Sequence, residues 1–123
     1  MKLIIIENDE TKEVLEYLAK EICLKYEVLN PKVTIDELGY DLELEKGEGN
    51  FVYISNLDIT GNIANFGDLK KYQRIIYVAE GKKYQNLLKR IFNEEKNAEL
   101  LATYLFDLRD VYIVTDKLGS TKI

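Results

Sequence analysis

Five short apolar runs alternate along the chain with longer stretches in which apolar residues recur at helical spacing. Lys2-Leu3-Ile4-Ile5-Ile6 is β-branched and continuously apolar, which predicts a strand buried on both faces. Val14, Leu15, Leu18, Ala19, Ile22 and Cys23 then mark one apolar stripe of a helix. Asn8 or Asp9 can cap that helix, with Glu10 and Glu13 near its positive end. Tyr26 to Leu29 reads as a second strand, stopped at Asn30-Pro31. Phe51-Val52-Tyr53-Ile54-Ser55, Arg74 to Ala79 and Val111 to Val114 supply three more.

Between the strands the pattern is less uniform. Thr34-Ile35-Asp36-Glu37 has the form of a capping box, and Ile35, Leu38 and Leu42 follow at helical spacing. Tyr40, Leu42 and Leu44 nevertheless alternate with Asp41, Glu43 and Glu45 as in a strand, with Gly47-Glu48-Gly49-Asn50 as a turn. Residues 34–50 are thus a helix or a hairpin, with the helix slightly favoured. Ile63, Phe66 and Leu69 suggest a short helix broken near Gly67. Tyr84, Leu87, Leu88, Ile91 and Phe92 form a strong helical stripe. Asn93 can cap a further helix carrying Ala98, Leu101, Ala102, Leu105 and Leu108, and residues 116–123 read as a short polar tail. Strands alternating with helices imply βαβ units. The expectation is a single three-layer α/β domain over residues 1–123, with a mainly parallel sheet of about five strands and helices on both faces.

Composition narrows the chemistry more than it changes the fold. The 123 residues include no His and one Cys, which removes histidine-based catalysis and metal binding as well as any internal disulfide. Seventeen Lys and Arg against 22 Asp and Glu leave a net charge of −5, unfavourable to a duplex-binding surface. Nucleic acid is therefore not the expected partner. Lys70-Lys71, Lys82-Lys83 and Lys89-Arg90 each lie beside an apolar stripe and read as solvated helix faces. No run approaches the roughly 18 residues of a membrane span. Four apolar positions between Lys2 and Glu7 are too few for a signal peptide, so a cytoplasmic location is expected.

Ligands of open parallel sheets bind beyond the carboxyl ends of the strands. The candidate recognition edge is accordingly Glu7, Asn8 and Asp9 after the first strand, Asn56 and Asp58 after the middle one, Glu80, and finally Asp116 and Lys117. Asp and Asn are also ordinary turn and cap residues, so such loops carry them in any case. Carboxylates converging there could hold Mg²⁺, provided they lie within about 8 Å of one another, given metal–oxygen distances of roughly 2.0–2.6 Å. The nine tyrosines mostly flank apolar stripes, suiting the rim of a core or a contact surface. Cys23 falls on the apolar helix face and reads as a packed thiol.

The opening Leu3-Ile4-Ile5-Ile6-Glu7-Asn8-Asp9-Glu10 resembles the start of a response-regulator receiver domain, where a strand ends in an acidic pair that holds Mg²⁺. Length and strand–helix order are similar as well. The resemblance implies a flavodoxin-like sheet with an eroded active site. Glu7 and Asn8 stand at the acidic pair, and Asn56 replaces the phosphoacceptor aspartate in Val52-Tyr53-Ile54-Ser55-Asn56-Leu57. Ala79 falls at the switch hydroxyl, and Lys117 roughly matches the phosphate-binding lysine. An amide cannot act as the carboxylate nucleophile does. The implied function is a pseudo-receiver, a non-catalytic regulatory domain that contacts a protein partner or forms a homodimer.

Toprim domains offer the alternative. Glu7 resembles their first-strand glutamate, and Asn56-Leu57-Asp58-Ile59-Thr60-Gly61 resembles their D-x-D-x-x-G loop with one acid replaced. That resemblance implies Mg²⁺-dependent phosphoryl transfer or nuclease chemistry, with Glu7 and Asp58 as metal ligands and Glu80 or Asp116 as a third carboxylate. No phosphate-binding G-x-x-x-x-G-K-[ST] or G-x-G-x-x-G sequence occurs.

Overall fold

In a computed structural model of the chain, residues 1–7, 11–25, 42–46, 49–64 and 66–123 are described, without the side chains of residues 20, 22–25, 42–46 and 49–51. The strands are β1 (Lys2–Ile6), β2 (Leu42–Lys46), β3 (Gly49–Asn56), β4 (Arg74–Val78) and β5 (Val111–Asp116). The α-helices are α1 (Thr11–Lys25), α2 (Gln85–Asn93) and the short α3 (Lys117–Ser120). Single 3₁₀ segments occupy Phe66–Lys71, Lys82–Tyr84 and Leu101–Asp107.

The sheet order is β1-β5-β4-β3-β2. The first four of these are mutually parallel, and β2 lies antiparallel on β3 with Lys46 opposite Gly49. In chain order β1 is therefore followed by β2 at the far side of the sheet, which turns back as a hairpin into β3, and the chain then steps back through β4 to β5. Right-handed crossovers running in opposite directions must lie on opposite faces. The packing agrees. Ile6, Val52, Ile54, Ile76, Val78, Tyr112 and Val114 form one buried cluster with Leu15, Leu18 and Ala19 of α1. The alternate residues Ile75, Tyr77, Val111 and Ile113 join a second cluster with Leu87, Leu88 and Ile91 of α2 and Leu105 of a 3₁₀ segment. The period of two along each strand sorts side chains between these cores.

Several expectations are corrected. Among the described strands β1 has a neighbour only in β5, and it is not buried along its length: only Ile6 is buried, and Ile5 is 45% exposed. An apolar run identifies a strand but not its neighbours. Residues 42–46 belong to a hairpin and not to a helix; the two-residue alternation of Leu42 and Leu44 prevails over the helical spacing. The flavodoxin-like order 2-1-3-4-5 does not hold, because β5 and β4 separate β1 from β3.

The helix expected after Asn93 is replaced by an irregular stretch and the 3₁₀ segment Leu101–Asp107. Local bonds explain the break: the Glu99 amide donates to Asn97 Oδ1 at 2.9 Å, and the Asn97 amide donates to Thr103 Oγ1 at 2.8 Å. Side-chain acceptors of this kind compete with helical bonding. Asn93 instead ends α2, its side-chain amide donating to the Lys89 carbonyl. Asp116 closes β5, and the expected polar tail begins with a docked helix, α3, whose Leu118 carbonyl accepts from Gln85 Nε2 at 2.8 Å.

The proposed caps Asn8 and Asp9, the expected strand 26–29 and residues 34–41 lie outside the described residues, as does the Cys23 side chain. Among the described residues, no helix is long and apolar enough to cross a membrane.

Candidate functional site

The carboxyl ends of β1, β5, β4 and β3 form one edge, where Asp58, Glu80 and Asp116 are engaged in hydrogen bonds. At β5, Thr115 Oγ1 donates to the Ala79 carbonyl at 2.6 Å, fastening β5 to the end of β4. Asp116 Oδ1 accepts the Gly119 amide at 2.8 Å and the Gly81 amide at 3.1 Å. One carboxylate oxygen thus caps α3 and pins the turn after β4. Both donors need glycine. Gly81 has φ +101°, and a Cβ on Gly119 would lie 2.2 Å from Thr115 Oγ1 and 3.0 Å from the Ala79 carbonyl.

Thr11, the first residue of α1, donates its hydroxyl to Glu80 Oε2 at 3.1 Å. Asp58 Oδ1 accepts both the amide and the hydroxyl of Thr60, at 2.8 and 2.6 Å. These two bonds, the hydroxyl first, hold the Asp58 carboxyl below its ordinary range. Asn56, Glu7 and Lys117 are exposed.

The structure therefore brings together Thr11 with Glu80, and Asp116 with the turn after Glu80. It does not bring Glu7 to Asp58. Their strands, β1 and β3, are three inter-strand spacings apart, about 14 Å at roughly 4.8 Å each. Among the described residues no group of three or more Asp, Glu or Cys side chains is placed to hold a metal.

A charged centre that composition did not disclose lies at the opposite, amino end. Arg74 opens β4 and is only 4% exposed. Its Nε donates to Asp110 Oδ2 at 2.7 Å, Nη1 to the Leu18 carbonyl at 2.7 Å and Nη2 to Glu21 Oε1 at 3.0 Å. The guanidinium lies 4.8 Å from the centre of the Tyr112 ring. Burial pulls the Arg74 pKa down, but the bonds to Asp110 and Glu21 outweigh it and leave it raised. The Arg74 bond depresses Glu21 in turn. In the sequence Arg74 shows only as a charge opening an apolar run. Its carboxylates are 53 and 36 residues away, so no local spacing connects them.

Beside this centre lies a groove of about 870 Å³ along the amino ends of β1, β4 and β5. Lys2 from β1, Lys70 and Lys71 from the preceding 3₁₀ segment, and Arg109 before β5 all line it. Lys2 Nζ donates to the Tyr112 hydroxyl at 3.2 Å, and this bond raises its pKa. Lys70-Lys71 is thus one wall of a concavity and not a plain solvated face. The tyrosines also sit deeper than expected: Tyr72, Tyr77, Tyr84 and Tyr112 are at most 8% exposed. Tyr84 donates its hydroxyl to the Leu57 carbonyl at 2.5 Å. A scan against protein-family models gives no match, and a search of curated proteins gives none either.

Proposed function

We propose that this chain is a three-layer α/β domain of pseudo-receiver type that acts without catalysis, meeting a protein partner or a second copy of itself through its carboxyl edge. The observation that carries this reading is the engagement of the edge's polar groups. Asp58 is held by Thr60, Glu80 by Thr11, and Asp116 by the amides of Gly81 and Gly119. A nucleophile or general base must aim a lone pair at its substrate. Here one oxygen of each of these three carboxylates holds the chain's own loops and helix starts in place, which favours a fixed polar surface suited to contact. Asn56 and Ala79, at the positions of the receiver's phosphoacceptor and switch hydroxyl, support the same reading. This receiver reading is drawn only from the strand-end residues and the β1–α1 opening, since the sheet order differs from that of a receiver.

The deciding experiment is incubation with acetyl phosphate and Mg²⁺, and then intact-mass spectrometry. The expected result is an unchanged mass. A stable phosphoryl adduct on any carboxylate overturns the proposal.

A further inference from the structure

The amino-edge groove is set apart by an excess of positive charge, although Lys2 also bonds the Tyr112 hydroxyl and Lys71 lies over the Tyr72 ring. Five cations and two carboxylates line it, in a chain whose net charge is −5. Both carboxylates are engaged: Asp110 with Arg74 at 2.7 Å, and Asp107 with Lys96 at 2.9 Å. Arg74 is consumed by Asp110 and Glu21. Four exposed cations remain, Lys2, Lys70, Lys71 and Arg109, and among the described residues none of them has a carboxylate partner.

Lysines at a 3₁₀ C-terminus have an ordinary use, since they offset the last carbonyls. That accounts for Lys70 and Lys71 but not for Lys2 and Arg109, which reach the same groove from β1 and from the loop before β5. Convergence from three separate elements, in an otherwise acidic molecule, marks a local positive field. Tyr72 and the aliphatic Leu69 and Leu108 line the groove as well as the cations. Spaced flexible lysine ammoniums suit carboxylates distributed along a chain, with apolar wall for the intervening side chains.

We infer that the amino-edge groove binds an extended acidic peptide segment of a partner protein, recognised by Lys2, Lys70, Lys71 and Arg109. This site is independent of the carboxyl-edge reading, because it lies at the other end of the sheet and shares no residue with it.

The test uses the full chain and a fluorescein-labelled ten-residue peptide rich in Glu and Asp, with fluorescence anisotropy as the readout. Binding is expected to weaken at least tenfold in the K70E/K71E/R109E variant and steeply with added salt. The K82E/K83E control reverses two lysines at the other end of the sheet and is expected to retain binding within twofold. Absence of binding by the wild-type chain overturns the inference, as does equal loss in both variants. A single-stranded oligonucleotide of equal charge that binds more tightly than the peptide overturns the assignment to a protein segment. All three groove positions changed are exposed, so circular dichroism of the variant is expected to match the parent.

Discussion

The two ends of the sheet use charge in opposite ways. At the carboxyl end, Asp58 accepts bonds from Thr60 in its own loop, Glu80 from the Thr11 hydroxyl at the start of α1, and Asp116 from the amides of Gly119 and Gly81, so each acid fastens a loop or a helix start. At the amino end the buried cation Arg74 ties α1, β4 and the loop before β5 together, while four exposed cations around it have no carboxylate partner among the described residues. At the edge that a parallel sheet nominates for ligands, three of the acids serve its own architecture. An excess of positive charge collects at the edge that carries no such presumption. Strand-end position therefore nominates a site, but the bonds already made decide whether its groups are free to act.

The sharpest way to break the contrast is Arg74→Ala. It leaves Asp110, Glu21 and the Leu18 carbonyl without their donor and opens a gap against Tyr112. Removing one partner of a buried pair typically costs about 3–5 kcal/mol. Because Glu21 is 41% exposed, the lower end of that range, about 3 kcal/mol, is expected, read by urea denaturation. The next largest effect belongs to the carboxyl end. Gly119→Ala forces a Cβ onto Thr115 and the Ala79 carbonyl, and overpacking of this kind costs about 2 kcal/mol. Asp116→Ala removes the shared cap and is expected to cost about 1 kcal/mol, whereas Asp116→Asn, which keeps Oδ1, restores most of it.

Acid titration separates the two ends further. Glu21 has a folded-state pKa depressed by Arg74, so its contribution is fully present above the unfolded carboxyl value and is lost as pH falls through the lower folded value. In Arg74→Met this contribution to the acid limb of a stability–pH profile is expected to disappear. The smallest effect is expected from K70E/K71E/R109E, within about 0.5 kcal/mol of the parent in the same denaturation experiment. A large loss there would mean that the amino-edge cations serve the fold.

The helices and strands that face a core were legible because burial imposes a period on the chain. Leu15, Leu18 and Ala19 in α1, and Leu87, Leu88 and Ile91 in α2, are buried at the spacing the sequence displays. Arg74 to Val78 is a buried strand as its apolar run indicates. The stretch after Asn93 was misleading because its apolar spacing is helical while Asn97 and Thr103 supply competing hydrogen bonds. Of the candidate edge, the residues could be named but not their roles. Nothing near Asp116 in sequence announces that it will accept the amide of Gly81, 35 positions earlier.

By itself the sequence determined an alternation of strands and helices, a chemistry without histidine, and acids and amides at strand ends, because composition and periodicity are local properties. Only the tertiary structure decided that β1 pairs with β5, that β5 and β4 lie between β1 and β3, and that cations from three elements share one groove. Strand order arises from the path of the crossovers, and charge pairing from contacts across many residues of chain. Neither leaves a period for a linear reading to detect.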